Sequence, residues 1–272
     1  MKVAITGGTG FVGRHLVSLL KAENIDFTVF DRSKYNLDRK ETLKDFLSGK
    51  DFVVHLAAVN KDEDFTNIIR VNILGTKGLL DGMLAFAPSA RLIFASSFQV
   101  YLKDSIYGAS KKIAEELITD YSSRSGQKSI ILRITNMYGS GGRPFYNSAL
   151  ATFLYQIRHD DTVSINGDGS QRRDYLHVVD GAGAILKSLS YIPKKSVTHF
   201  DICTGKLISL SDITKLLQKL TNKKISISFN RKVSVDDWDF GKDYTKAKKL
   251  LGWEPRISIE EGLAMAIKEE NI

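Results

Sequence analysis

Tyr107 and Lys111 stand four residues apart in Tyr107-Gly108-Ala109-Ser110-Lys111. On a helix that spacing puts both side chains on one face, where an ammonium can draw a phenol's pKa from about 10 towards the working range. Tyr107 is then a candidate general base or acid; the alternative is a surface helix with a buried tyrosine. Ser97, closing Ala95-Ser96-Ser97, supplies a hydroxyl able to hold a substrate oxygen and pass its proton. Near the start of the chain, Thr6-Gly7-Gly8-Thr9-Gly10-Phe11-Val12-Gly13 spaces glycines as G-x-x-G-x-x-G at 7, 10 and 13. Such a turn lets backbone N–H groups approach a pyrophosphate, and a helix beginning near Gly10 turns its positive end to that anion. The alternative is a tight turn with no ligand. Asp31 ends the next apolar run, eighteen residues past Gly13. A carboxylate there accepts both ribose hydroxyls of NAD and repels the 2′-phosphate of NADP. Arg32 keeps NADP open, since a guanidinium can turn towards that phosphate.

Composition excludes several other chemistries. The only cysteine, Cys203, permits neither an internal disulfide nor a multi-cysteine metal site. The five histidines, His15, His55, His159, His177 and His199, show no ligand-like spacing, so no metal is expected. A net charge of +8 invites nucleic acid as a partner, but the lysines fall in pairs beside acids. Lys111-Lys112 precede Glu115-Glu116 and Lys248-Lys249 precede Glu254, the pattern of solvated helix faces. The chain opens on Lys2-Val3-Ala4-Ile5-Thr6 without a charged stretch followed by an apolar one and carries no run of eighteen apolar residues, so the expectation is a soluble cytoplasmic protein with no nucleic acid or membrane partner.

These residues need elements to position them. Apolar, β-branched or aromatic runs at 2–6, 27–30, 51–56, 91–95 and 129–134 are bounded by Gly, Asp or Ser and predict buried parallel strands. Segments 11–22, 39–48, 64–86 and 107–121 carry apolar residues three and four apart and predict crossover helices. The alternation implies an α/β, doubly wound parallel sheet. After about residue 140 the rhythm changes. The expected division is 1–140, carrying Ser97, Tyr107 and Lys111, and 141–272, a smaller, interleaved C-terminal α/β domain on the substrate side.

Taken together, the motifs resemble the extended short-chain dehydrogenase/reductase superfamily, the NAD-dependent epimerase/dehydratase group acting on nucleotide-activated sugars. The resemblance rests on TGGTGFVG, Asp31, the 51–58 strand ending Leu56-Ala57-Ala58, Val71-Asn72-Ile73-Leu74-Gly75-Thr76, Ser96-Ser97 with Tyr101, YGASK, the 132–139 run LRITNMYG, the 167–175 run GDGSQRRDY, and LLGWEP at 250–255. It implies a Rossmann-type cofactor domain. The glycine loop, Asp31, Leu56, Ala57, Ala58, Asn72, Tyr107 and Lys111 match the cofactor shell, and Ser97 and Tyr107 match the proton-handling pair. Asn136 matches a residue that meets the sugar-diphosphate end. Arg173 matches an arginine that pairs with the diphosphate; a surface salt bridge to Asp174 or Asp180 is its alternative. A homodimer through the helix carrying YxxxK is also implied.

Departures from the family pattern narrow the activity. Phe98 and Gln99 stand where 4,6-dehydratases carry an Asp-Glu pair, which argues against dehydration. Asn36-Leu37 replaces the usual Asp-Leu near the adenine. Only ten residues separate Ser97 from Tyr107, a trimmed loop, and Val233 stands where a second basic residue is usual, with Arg231 and Lys232 just upstream. The expected function is an NAD-dependent nucleotide-sugar 4-epimerase working through a 4-keto sugar. A one-way NAD(P)H-dependent 4-ketoreductase needs the same Ser, Tyr and Lys. A non-catalytic dinucleotide-binding sensor is the reading from a different class.

Overall fold

A computed structural model of the chain describes residues 1–146, 148–230 and 238–272. In chain order its elements are β1 (Lys2–Thr6), α1 (Phe11–Ala22), β2 (Asp26–Val29), α2 (Lys44–Leu47), β3 (Phe52–His55), α3 (Phe65–Ile69), α4 (Gly75–Phe86), β4 (Arg91–Ser97), α5 (Ile106–Ser125), β5 (Ser129–Ile134), β6 (Asn136–Tyr138), α6 (Ala149–Asp160), β7 (Thr162–Asn166), β8 (Arg172–His177), α7 (Val178–Ser190), β9 (Val197–Ile202), β10 (Leu207–Ser209), α8 (Leu210–Thr221), β11 (Ser226–Asn230), α9 (Thr245–Leu251) and α10 (Ile259–Glu270). Two compact units result: 1–134 with 182–202 and 245–253, and 135–181 with 203–244 and 254–272.

In the first unit the strands form a parallel sheet in the order β2-β1-β3-β4-β5-β9. From β1 the chain steps to β2 on one side and then to β3 on the other, so the strand order reverses between β1 and β3, where open α/β sheets bind ligands. The five predicted strands are present. A sixth, β9, adds to the edge of β5 with Ile130 opposite Thr198 and Ile134 opposite Ile202. The inner strands β1, β3, β4 and β5 are largely buried on both faces because helices cover both, while the edge strands β2 and β9 are only partly buried. Ala4, Val53, Leu92, Phe94 and Ile131 pack in one cluster with Leu79, Leu80 and Met83 of α4 and Ala114 and Ile118 of α5.

Two predicted helices are broken. The 39–48 segment is a 3-10 turn, Lys40–Leu43, followed by the short α2. The 64–86 segment is interrupted by a π turn over Arg70–Leu74, where the Gly75 N–H reaches back five residues to the Arg70 carbonyl. Single π turns of this kind widen a helix to re-aim one side chain, and here that side chain is Asn72.

The second unit has its own core of Leu150, Phe153, Ile157, Val163, Tyr175, Ile213, Leu217 and Leu263 among others. Its β8 lies between β6, parallel, and β10, antiparallel, and β7 pairs in parallel with β11.

Candidate active site

Of the residues expected to hold the cofactor, the glycine loop, Asp31 and Leu56-Ala57-Ala58 follow the ends of β1, β2 and β3, while Asn72 lies in the π turn and Tyr107 and Lys111 on α5. Gly7 follows β1 at φ +70°, and a Cβ there would lie 2.7 Å from the Ala57 nitrogen and 2.8 Å from the Leu56 carbonyl carbon. Only glycine meets both demands. A Cβ on Gly13 would stand 2.2 Å from the Gly7 carbonyl oxygen, so α1 packs directly on the loop. Gly10 caps α1 with no side-chain hydrogen bond, so the cap supplies no acceptor to the leading amides at Phe11, Val12 and Gly13. Thr9 is exposed at the tip, and Phe11 and Val12 are half-buried. A cradle without Cβ atoms, closed by an uncapped helix start, fits a diphosphate.

Asp31 is exposed beyond β2, next to the exposed Arg32. Its Oδ1 accepts from the Ser33 N–H at 2.9 Å and the Ser33 hydroxyl at 2.7 Å. Those bonds, with the Lys34 charge behind them, hold the carboxyl below the usual range, so it is anionic at neutral pH. Leu56 and Ala57 are fixed to the end of β1: the Leu56 N–H donates to the Thr6 carbonyl at 3.1 Å and the Ala57 N–H to Thr6 Oγ1 at 3.3 Å. Ala58 follows, half-buried. Leu37 lies on α4, where a Cβ on Gly78 would come within 1.8 Å of the Leu37 carbonyl.

Asn72 is 2% exposed and its amide is fully engaged within the fold. Oδ1 accepts from the Val59 N–H at 2.8 Å, and Nδ2 donates to the Val59 carbonyl at 2.9 Å and to Ser110 Oγ at 2.9 Å. It therefore ties the exit of β3 to the helix that carries Tyr107 and Lys111.

Ser97 ends β4 and caps the 3-10 turn Phe98–Tyr101, its Oγ accepting from the Gln99 N–H at 3.2 Å. With an acceptor position used there, its proton is left to donate elsewhere. The trimmed loop is a self-bonded turn. Ser105 Oγ donates to Gln99 Oε1 at 2.6 Å and caps α5 at the Gly108 N–H, and Gly108 itself sits against the Gln99 carbonyl. Phe98 is buried, and Gln99 is spent on this turn, so the pair supplies no acid and base.

Tyr107 is half-buried in the first turn of α5, and Lys111 is 2% exposed one turn on. The Lys111 ammonium lies 4.3 Å from the centre of the Phe94 ring and 5.9 Å from that of Tyr107. Burial brings its pKa down to about 7, against the pull of Glu115. The sequence reading of Lys111 and Glu115 as a solvated face is corrected here. Both are buried, because α5 turns that face onto β4, while Lys112 and Glu116 are exposed on the other side.

Behind this face are side chains that the sequence reading missed. Arg133 on β5 grips Glu115 with Nε at 3.0 and 3.2 Å and Nη2 at 2.6 Å, Ser96 Oγ donates to Glu115 Oε1 at 2.5 Å, and Arg133 Nη1 donates to the Tyr101 hydroxyl at 3.0 Å. Tyr101 in turn donates to Asp201 on β9 at 2.7 Å. Burial, reinforced by Asp201, pushes the Tyr101 phenol up to about 12, so it stays protonated. On the other side, His55 is bonded at both ring nitrogens, to Thr6 Oγ1 at 2.6 Å and Thr76 Oγ1 at 3.0 Å. Thr76 donates its proton to the Asn72 carbonyl at 2.7 Å, so it accepts from His55 Nε2–H, and His55 Nδ1 accepts from Thr6. Burial and the Lys111 charge bring the His55 pKa down to about 3, so the ring is neutral.

The remaining predicted residues lie in the second unit. Asn136 on β6 faces Tyr175 across the strand pair and donates to the Asp174 carbonyl at 3.3 Å. Arg173 on β8 is half-buried, its guanidinium 4.5 Å over the Trp238 ring. Asp174 is buried and accepts from Thr204 N–H and Oγ1 and from the Gly205 N–H; Asp180 accepts from the Arg256 and Ile257 N–H groups. Arg231, Lys232 and Val233 lie outside the described residues. Among the described residues no group of three or more His, Cys, Asp or Glu is placed to hold a metal, and no helix is long and apolar enough to cross a membrane.

Residues 3–203 match the model of the NAD dependent epimerase/dehydratase family. The chain belongs to that family. A UDP-glucuronate 4-epimerase of Thermodesulfobacterium geofontis is 31% identical over 94% of this chain and 83% of its own length. A dTDP-4-dehydro-6-deoxyglucose reductase of Escherichia coli is 26% identical over 98% of this chain and 96% of its own. The solved structure of MoeE5 in complex with UDP-glucuronic acid and NAD is 26% identical, with a TM-score of 0.83 over 98% of both chains. The relatives of this chain thus include proteins named for 4-epimerisation and for reduction of nucleotide sugars.

Proposed function

We propose that this family member is an NAD-dependent nucleotide-sugar 4-epimerase in which Tyr107 moves the proton of a ring hydroxyl. The observation that carries the reading is the Lys111 ammonium, buried against Phe94 and one helical turn from the Tyr107 phenol. A cation in that position stabilises a phenolate, and Ser97, whose acceptor position is taken by the Gln99 N–H, donates to the substrate oxygen. When bound, NAD would supply the hydride acceptor for the carbon that bears that hydroxyl. Gly7, Gly10 and Gly13 would admit its diphosphate, anionic Asp31 its adenosine ribose, and Leu56, Ala57 and Ala58 the space between. Arg173 presents a planar fork suited to the substrate's diphosphate, and Asn136 is assigned to the sugar-diphosphate end. The 31% identity to a UDP-glucuronate 4-epimerase supports inversion and a uridine nucleotide.

A one-way 4-ketoreductase is the second reading. It uses the same three residues, and the near full-length similarity to a dTDP-sugar reductase favours it. We also infer a homodimer formed by α3, α4 and α5, which expose Phe65, Ile69, Leu84, Ile106 and Ile113 at 45–55%. Denaturing the purified protein and identifying the released dinucleotide by mass and absorbance separates the two activities. Stoichiometric NAD, followed by inversion of a UDP-hexose that stops in Tyr107→Phe, is the expected result. A protein that retains nothing and prefers NADPH overturns the epimerase in favour of the reductase.

A further inference from the structure

We propose that Glu115 is a positioning residue for Lys111, a fixed negative charge one helical turn behind the ammonium and locked there by Ser96 and Arg133. This rests on the reading above of Tyr107 and Lys111 as the proton-handling pair. Lys111 and Glu115 stand at i and i+4 of α5, both within 3% of full burial. At that spacing a free glutamate folds onto the lysine and neutralises it. Among the described residues no carboxylate makes a direct ion pair with Lys111. The reason is visible at Glu115, whose oxygens are held by the Arg133 fork and by Ser96 Oγ at 2.5 Å, the residue next to Ser97.

The charge is therefore close enough to favour the ammonium and too well bound to consume it. Lys111 faces the neutral His55 on β3, the Phe94 ring on β4, and Tyr107 and Glu115 on its own helix. Burial lowers its pKa, and Glu115 is the charge that opposes the fall. Around Glu115 itself stand Ser96 on β4, Arg133 on β5, and His199 on β9, whose Nε2 is 3.7 Å from Glu115 Oε2. Tyr101 and Asp201 lie behind Arg133, and Lys246 on α9 donates to the His199 carbonyl. Burial and Arg133 hold His199 below its ordinary range, which leaves Arg133 as the cation that neutralises Glu115.

The test follows Lys111 directly, by 13C NMR of lysine Cε in the full chain, with the signal assigned by its absence in Lys111→Met. In Glu115→Gln the Lys111 midpoint should fall by about one pH unit, and NAD affinity at pH 7.5, read by titration calorimetry, should drop by roughly tenfold. Glu115→Asp, which retains the charge, should keep the midpoint near that of the parent. Compared with Arg133→Met, the double variant Glu115→Gln/Arg133→Met removes the Glu115 charge alone, leaves no unpaired guanidinium in the fold, and should show the same downward shift. An unmoved Lys111 midpoint in folded Glu115→Gln against the parent, or in the double variant against Arg133→Met, overturns the role. Turnover of sugar nucleotides by the parent is scored separately: its absence would sink the proposed function, while the midpoints still decide the part played by Glu115.

Discussion

Asn72 Nδ2 donates to Ser110 Oγ at 2.9 Å, joining the π turn ahead of α4 to the helix that presents Tyr107 and Lys111. The same amide clamps both backbone groups of Val59. The exit of β3 and helix α5 are thereby held by one side chain. Asn72→Leu, similar in volume, strands these partners, and at the usual cost of buried unsatisfied groups it should destabilise the protein by about 2–4 kcal/mol. Urea denaturation would measure this, and the loss should be matched by weaker NAD binding. A stability change below 1 kcal/mol would mean that water replaces the amide freely.

Asp31 should set the choice between dinucleotides. It is anionic and its Oδ1 is held by Ser33, with Arg32 adjacent. Asp31→Ala removes the repulsion of a 2′-phosphate, and with Arg32 then dominant the ratio of NADP to NAD affinity should rise by about tenfold or more. Calorimetric titration with both cofactors checks it; an unchanged ratio would place the adenosine ribose away from this strand end.

His55 makes stability depend on acid. Its folded pKa is lowered from 6.5 to about 3, so between those values the unfolded chain binds a proton that the folded chain refuses. Stability is fully present above about pH 7 and falls as the pH drops towards 3, by a few kcal/mol at most from this one group. His55→Gln should be less stable at pH 7.5 but lose less between pH 7.5 and 5, as read from urea midpoints. An equal slope in both proteins would show that other groups govern the acid limb.

What could be read from the sequence follows from range. The glycine loop was legible because its constraints, a positive φ at Gly7 and close approach at Gly13, exclude other residues locally. Tyr107 and Lys111 were legible because helical spacing is a local rule. Glu115 was not: beside Lys112 and Glu116 it looks solvated, and only the meeting of α5 with Arg133, eighteen residues on in β5, makes it buried and bound. Strand β9 was hidden for a similar reason. Val197-Thr-His-Phe-Asp-Ile alternates in burial, and nothing local says that it pairs with β5. The π turn was unreadable because nothing in the local spacing marks it, and the partners of its Asn72, Val59 and Ser110, lie 13 and 38 residues away.

Two glycines of α5 should separate site from scaffold. Gly108 faces the Gln99 carbonyl, and an added Cβ would sit 2.0 Å from that oxygen, which belongs to the turn capped by Ser97. Gly126 ends the helix at φ +72° with open space around it. Gly126→Ala should therefore cost about 1 kcal/mol of stability, the ordinary penalty for a left-handed cap, and leave turnover unchanged. Gly108→Ala must push the Ser97 turn away from α5, and since displacements of about 1 Å at reacting groups cost about 100-fold in rate, kcat should fall by at least tenfold in folded protein. Thermal unfolding and steady-state rates on the two variants, side by side, check both halves. Equal rates in the two would detach the Ser97 turn from catalysis.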